Sequence, residues 1–363
     1  MAASNNDLRL AIIDDYSGIA HRHFVNIPGL SRIDTYKDTL NPSKPADLEE
    51  LITRLKPYQI ISSMRERTPF PAELLQSLPN LKLLLNSSAR NNSIALHCAA
   101  QHGILVTGTK GDIPPPDSQA RQALGDDLPP PPGHSTVVQH AWAQLLSLYS
   151  RVPQDDYALK NSSQAWLDGF MTPVAGKTLG ILGLGKLGVG MAKVGVLAFG
   201  MEVLAWSENL TQEKADAAAE GVGLPRGTFR AVGKKELFRG ADVVSLHNVL
   251  SERSRGVVGA RELEWMKSSA ILVNTSRGAL IDEDALVAAL SDGAIGGACL
   301  DVFWEEPLPA TSPWRSFDSW AKSPAVLSPH MGYANAGTMN RWYQEQAENA
   351  RRWVSGEEVL NRF

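Results

Sequence analysis

Short apolar runs alternate along the chain with longer stretches in which apolar residues recur every three or four positions. Residues 8–13 (LRLAII) read as a buried strand that opens onto the turn-rich Asp14-Asp15-Tyr16-Ser17-Gly18. Residues 46–55 (ADLEELITRL) have helical spacing, and 59–63, 81–85 and 104–107 read as further strands. Helical periodicity returns over 135–152. A second alternation then predicts six strands at 178–182, 202–205, 242–246, 270–274, 297–302 and 325–327, with helices at 186–199, 260–267 and 282–290. Strands alternating with helices require crossover connections, hence an α/β protein with mostly parallel sheets. The last periodic stretch, 338–354, follows the final strand and is expected to return to the first domain, which makes that domain discontinuous. No repeat is visible, so a solenoid is excluded.

One stretch breaks the pattern. Lys110 to His134 holds prolines at 114–116 and 129–132, with Asp126-Asp127 between them and little apolar content. It reads as an insertion in the form of a long surface loop, either merely solvated or serving as a lid or partner-binding segment.

Composition narrows the class. With 363 residues, 43% hydrophobic and 20% charged, the chain has the make-up of two folded domains and not of a disordered one. A net charge of -4 gives no footprint for nucleic acid and no polybasic membrane anchor. Cys98 and Cys299, the only two cysteines, have no metal-ligand spacing, so neither a disulfide scaffold nor a metal site is expected. Residues 1–7 lack the charged start and apolar run of a secretory signal, and Leu360-Asn361-Arg362-Phe363 matches no targeting signal. A cytoplasmic location is the expectation.

Leu182-Gly183-Leu184-Gly185-Lys186-Leu187-Gly188 contains G-x-G-x-x-G, a weak signal alone among thirty glycines. Here it follows an apolar strand and opens a helix, the context that dinucleotide binding requires. Gly183 permits the tight turn, Gly185 lets the backbone approach a pyrophosphate, and Gly188 lets helix pack on strand. The N–H groups that begin the helix at Lys186 and Leu187 then meet the phosphates. About twenty residues on, such sheets carry an acidic residue for the ribose 2'-OH. Ser207 stands there, followed by Glu208 and Asn209. Either NAD or NADP fits, and a hydroxyl and an amide that can donate to phosphate tilt the reading toward NADP.

Three later segments complete a constellation. Asn274-Thr275-Ser276-Arg277-Gly278 puts an arginine beyond a strand end. Asp301-Val302-Phe303-Trp304-Glu305-Glu306-Pro307 puts an acidic cluster after the next strand, and Ser328-Pro329-His330 puts a histidine after the last. Ligands bind outside the carboxyl ends of parallel strands, so all three are expected to face one cleft. Order, spacing and flanking strands resemble the D-isomer-specific 2-hydroxyacid dehydrogenase family over nearly the whole chain, in a divergent form. The resemblance implies a discontinuous flavodoxin-like substrate domain (1–145 and 334–363) around a Rossmann-type NAD(P)-binding domain (146–333). It also implies a homodimer formed largely through the nucleotide domains.

The same resemblance makes Arg277, Glu306 and His330 the catalytic residues and sets Thr275 and Asp301 beside the cofactor; Asp301 also reads as a structural turn cap. The chemistry suits these types. Reducing a small 2-oxo acid to its 2-hydroxy acid puts a hydride on carbon and a proton on oxygen. Imidazole can give that proton near neutral pH, and an adjacent carboxylate favours its charged form. An arginine fork holds a carboxylate and polarises the carbonyl.

The substrate half departs from the family. The segment that binds the substrate carboxylate is matched by residues 86–94, but its usual glycine is missing; Ser88, Ala89 and Arg90 are the candidates there, with Arg65 in the neighbouring Met64-Arg65-Glu66-Arg67-Thr68. His247, in a loop that lacks the family's proline, reads as structural. Two competing functions share the fold. Formate oxidation typically has glutamine where Glu306 stands, and a cofactor-sensing scaffold resembling the C-terminal-binding corepressors would share the triad without turnover.

Overall fold

The computed structural model describes residues 7–363 apart from Ala165 and Asp168, so the N-terminal reading lies outside it except for Asp7. The chain divides into two units, residues 1–131 with 335–363, and residues 132–334.

The first unit is built on a parallel sheet of β1 (Leu8–Ile12), β2 (Leu30–Thr35), β3 (Ile60–Ser63), β4 (Leu83–Asn86) and β5 (Leu105–Thr107), in the order β2-β1-β3-β4-β5. That order is flavodoxin-like, with its switch point between β1 and β3. Strands β3 and β4 are buried throughout, because helices cover both faces of a parallel sheet. Strand β2 is absent from the sequence reading. It is an edge strand, largely half-exposed, and its LSRIDT lacks an apolar run.

The long C-terminal helix Ala336–Val354 belongs to this unit. It starts where Asn335 accepts the Thr338 N–H at 2.9 Å, and it buries Trp342, Tyr343 and Gln346. Gln346 accepts from Ser62 Oγ at 2.6 Å and donates to the Ser63 carbonyl at 3.3 Å, which ties the helix to β3.

The proline-rich stretch is largely exposed and irregular, in line with a surface loop, but it is more ordered than that expectation. It contains the short helix Gln119–Leu124 and is strapped to the C-terminal helix. Arg341 and Gln344 donate to the carbonyls of Asp112 and Ala120, and Glu345 accepts the N–H groups of Lys110 and Gly111. The backbone groups of this stretch that lack a ladder partner are thus satisfied by side chains of one helix face.

The second unit holds seven parallel strands: β6 (Thr178–Leu182), β7 (Glu202–Trp206), β8 (Phe229–Ala231), β9 (Val243–Leu246), β10 (Ile271–Asn274), β11 (Gly297–Leu300) and β12 (Ala325–Leu327). Their order, β8-β7-β6-β9-β10-β11-β12, is that of a doubly wound nucleotide-binding sheet with its switch point between β6 and β9. Six strands were expected; β8, three residues at the edge, is the seventh.

The first boundary between units falls at 131/132, not 145/146. The helix Thr136–Tyr149 explains the shift, since Val138, Ala141, Trp142 and Leu145 pack into the core with Leu179, Met191 and Val273 of the second unit. Among the described residues no helix is long and apolar enough to cross a membrane.

Candidate active site

The strand ends of the second unit are aligned by register: Leu182 faces Leu246, Leu246 faces Asn274, Asn274 faces Leu300, and Leu300 faces Leu327. Each motif lies in the loop that follows one of these strand ends, so sequence order converts into one edge of the sheet.

The glycine loop leaves β6 there. Gly183 has φ +93°, and a Cβ on it would lie 2.8 Å from the backbone of Asn248 and His247. A Cβ on Gly188 would lie 2.1 Å from the Gly183 carbonyl oxygen, whereas one on Gly185 would meet no protein atom within 4 Å. Two of the three glycines thus serve the fold, and the space over the third is open. The helix Lys186–Phe199 begins with no side-chain cap and no acidic residue in its first turn, so its own end supplies no side-chain acceptor for the N–H groups at Lys186 and Leu187. Thr275 Oγ1, Asn248 Oδ1 and His247 Nδ1 are buried without a protein partner at the ends of β9 and β10. An uncapped helix, an open cradle and orphaned polar atoms fit a dinucleotide. Burial pushes the His247 imidazole down to about 4, so it is neutral, and its Nε2 bonds Ser245 Oγ at 2.9 Å.

Arg277 sits on a turn held by buried Asn274, whose amide donates to the Arg277 carbonyl at 2.9 Å and whose Oδ1 accepts from the Ser276 N–H at 3.0 Å. Its guanidinium donates to the Ser276 carbonyl at 2.7 Å. Gly278 follows because the Phe303 carbonyl carbon lies 2.2 Å from where a Cβ would stand. That close approach sets the arginine turn against the segment carrying the acidic cluster.

In that cluster Glu306 accepts the Phe303 N–H on Oε1 at 2.9 Å, and its Oε2 meets His330 Nδ1 at 2.6 Å. Glu306, not its neighbour Glu305, pairs the histidine. His330 adopts φ +56°, a left-handed conformation that few non-glycine residues occupy, and its ring stands edge-on to Tyr333 at 5.4 Å. Strain of this kind persists only where the surroundings over-determine it.

Asp301 supplies that determination. It is buried; its Oδ1 accepts from Ser328 Oγ at 2.5 Å and the Met331 N–H at 2.7 Å, and its Oδ2 from the Gly332 N–H at 2.9 Å. His140 Nε2 lies 3.2 Å from Oδ1. Burial works against the charge, but the bonds from His140, Ser328 and the two backbone N–H groups outweigh it and hold the carboxyl below the usual range. Asp301 therefore grips the 328–332 loop from both sides of His330, the turn-cap alternative for this residue. His140, whose Nε2 lies 2.8 Å from Ser328 Oγ, and Gln144, which donates to that hydroxyl at 2.8 Å, were not singled out as site residues. Their signal is two polar side chains four apart on an otherwise apolar helix face.

Ser207, Glu208 and Asn209 form a turn after β7, closed by the Leu210 N–H on the Ser207 carbonyl at 3.0 Å. Ser207 is half-buried, and Glu208 and Asn209 are exposed.

In the first unit, Arg65 follows β3 with φ +52°. Its N–H donates to Ser87 Oγ at 3.0 Å, and its carbonyl accepts the amides of Asn86 and Asn91 at 2.8 and 2.6 Å. The guanidinium lies 5.6 Å from the Trp342 ring. Ser88 bonds the Arg90 carbonyl at 3.0 Å, while Ala89 and Arg90 are exposed on the same turn. None of residues 86–92 takes a positive φ, which is how the turn closes without the family's glycine. At the end of β1, buried Asp14 has φ +61°; its Oδ1 accepts from Thr39 and Thr68, and burial pushes its carboxyl up to about 6.

A doubly wound sheet with a glycine cradle and a carboxylate-paired histidine on one edge defines a nicotinamide-dependent oxidoreductase. The sequence model described as the D-isomer specific 2-hydroxyacid dehydrogenase, NAD binding domain, matches residues 142–332. The chain is 32% identical to a glyoxylate reductase of Aeropyrum pernix over 78% of its own length and 76% of that protein's. It is 31% identical to a glyoxylate reductase of Korarchaeum cryptofilum over 91% and 90%. A solved phosphoglycerate oxidoreductase of Vibrio cholerae superposes with a TM-score of 0.76 at 28% identity, covering 96% of this chain and all of that one. The chain belongs to the D-isomer specific 2-hydroxyacid dehydrogenase family, and its class is that of oxidoreductases acting on CH–OH donors.

Proposed function

We propose that the protein interconverts a small 2-oxo acid and its D-2-hydroxy acid, with His330 as the acid and base. The observation that carries this reading is the 2.6 Å contact between His330 Nδ1 and Glu306 Oε2, on the strand-end edge that also holds the glycine cradle. Nδ1 bonds the carboxylate, and Nε2 is the nitrogen assigned here to exchange a proton with the substrate oxygen. A bound nicotinamide supplies or accepts the hydride at the carbonyl carbon. In reduction His330 Nε2 gives its proton to the oxygen, and in oxidation it takes that proton back. Arg277 binds the substrate carboxylate and polarises the carbonyl where negative charge develops. Gly183, Gly185, Gly188 and the N–H groups at Lys186 and Leu187 receive the pyrophosphate, Ser207 to Asn209 the adenosine ribose, and Thr275 the nicotinamide end. Asp301 acts through the His330 loop, since its oxygens already have donors inside the protein.

Arg65, Ser88, Ala89 and Arg90 form the substrate side of the first unit, and residues 1–131 with 335–363 constitute the substrate domain. The active species is a homodimer joined through the nucleotide units, as the family resemblance implies. The relatives named glyoxylate reductase make glyoxylate a first substrate to try, with hydroxypyruvate beside it. His330→Ala is expected to lower turnover by about 10²–10⁴-fold while leaving dinucleotide affinity within about twofold. Steady-state rates and equilibrium binding on the same preparation check this, and unchanged turnover would remove His330 from the mechanism.

A further inference from the structure

The end of β7 is where a doubly wound sheet reads the adenosine ribose. Leu182 and Trp206 are register partners, and the Gly183 N–H donates to the Trp206 carbonyl at 2.9 Å. Ser207 therefore begins its turn directly beside the glycine loop, at the place where a carboxylate would grip a free 2'-hydroxyl. A hydroxyl stands there instead.

Two cations bracket this turn. Lys214, on the helix Gln212–Glu220, folds back so that its ammonium donates to the Asn209 carbonyl at 2.8 Å. Lys234, just after β8, holds its ammonium 5.5 Å from the Trp206 ring and is steadied there by Glu262 at 2.8 Å. Each ammonium has three donors, so those single bonds leave others for a ligand. A phosphomonoester carries between one and two negative charges and three strong acceptors near neutral pH. A carboxylate at position 207 would repel it, whereas a hydroxyl donates to it. Glu208 is the one anion on the turn, and its exposure leaves its field to be screened by solvent.

We propose that Ser207, Asn209, Lys214 and Lys234 form a 2'-phosphate subsite and that the protein takes NADP(H) in preference to NAD(H). This rests on the dinucleotide reading of the glycine loop and adds the choice between the two cofactors.

The test is equilibrium binding of NADPH and NADH to the full-length protein without substrate, by titration calorimetry at low and moderate salt. NADPH is expected to bind at least about 10-fold tighter than NADH, with the advantage shrinking as salt rises. Lys214→Ala is expected to reduce the NADPH advantage severalfold while leaving NADH affinity within about twofold. Ser207→Asp is expected to reverse the preference, which separates a lost subsite from a misfolded variant. Equal or tighter binding of NADH by the wild type overturns the proposal; if 2-oxo acid reduction persists in that case, the proposed reaction still stands. NADPH preference without reduction of any 2-oxo acid supports the subsite and refutes the reaction.

Discussion

Asp14 is buried at the carboxyl end of β1 with its backbone left-handed and its Oδ2 without a partner. Burial dominates over the hydroxyl bonds and the nearby Arg67, and it raises the carboxyl to about 6. The sign of the linkage follows. Between about pH 4 and 6 the folded chain keeps a proton that the unfolded chain has released, so stability falls as pH rises through that window, by up to about 3 kcal/mol. Asp14→Asn removes the ionisation and keeps an acceptor for Thr39 and Thr68. It is expected to be more stable than the wild type at pH 7.5 and to lose that advantage near pH 4. Denaturant unfolding at the two values checks it; an advantage independent of pH would contradict the assignment. Sequence reading found His330, Glu306 and Arg277 because each follows an apolar strand at family spacing. It could not rank Asp14 above its neighbour Asp15, because burial depends on the chain folded over it.

At the scale of elements, the candidate site depends on short segments more than on the strands. Asn274 shapes the arginine turn, Gly278 lets that turn lie against Phe303, and Asp301 clamps the loop of His330. Asp301→Asn removes the anion that gathers Ser328, His140 and two backbone N–H groups. It is expected to lower kcat by about 10-fold or more while leaving dinucleotide affinity within about twofold, because a catalytic group displaced by a fraction of an ångström loses its geometry. Kinetics and binding on the variant decide this, and a selective loss of cofactor affinity would instead assign Asp301 to the dinucleotide.

The apolar strands and the helix Lys186–Phe199 were legible because periodicity and the glycine motif agree there. The edge strands β2 and β8 were not: β2 is half-polar with no apolar run, and β8 is only three residues long. The proline-rich strap was hidden for another reason: its order comes from Arg341, Gln344 and Glu345 on a helix more than two hundred positions away.

At the scale of the molecule, the second unit exposes several apolar side chains within one stretch of sequence. The helix Val152–Asn161 buries none of its residues, and Tyr157, Leu159, Trp166, Phe170 and Met171 are all exposed, Phe170 by 90%. Apolar side chains exposed in so short a stretch suit an interaction surface, and the homodimer proposed above makes a second copy of the chain the occupant to test. Light scattering is expected to give twice the chain mass, and the double substitution Trp166→Asp with Phe170→Asp to give the monomer. A monomeric wild type would refute the dimer.

The central claim concerns stereochemistry as well as turnover, so product analysis tests it most directly. Hydroxypyruvate and pyruvate are each incubated with the protein and reduced nicotinamide cofactor, and the hydroxy acids are resolved on a chiral column. The account requires D-glycerate or D-lactate in an amount equal to the nicotinamide oxidised. An L product, or no oxidation with these or any other 2-oxo acid, would contradict it.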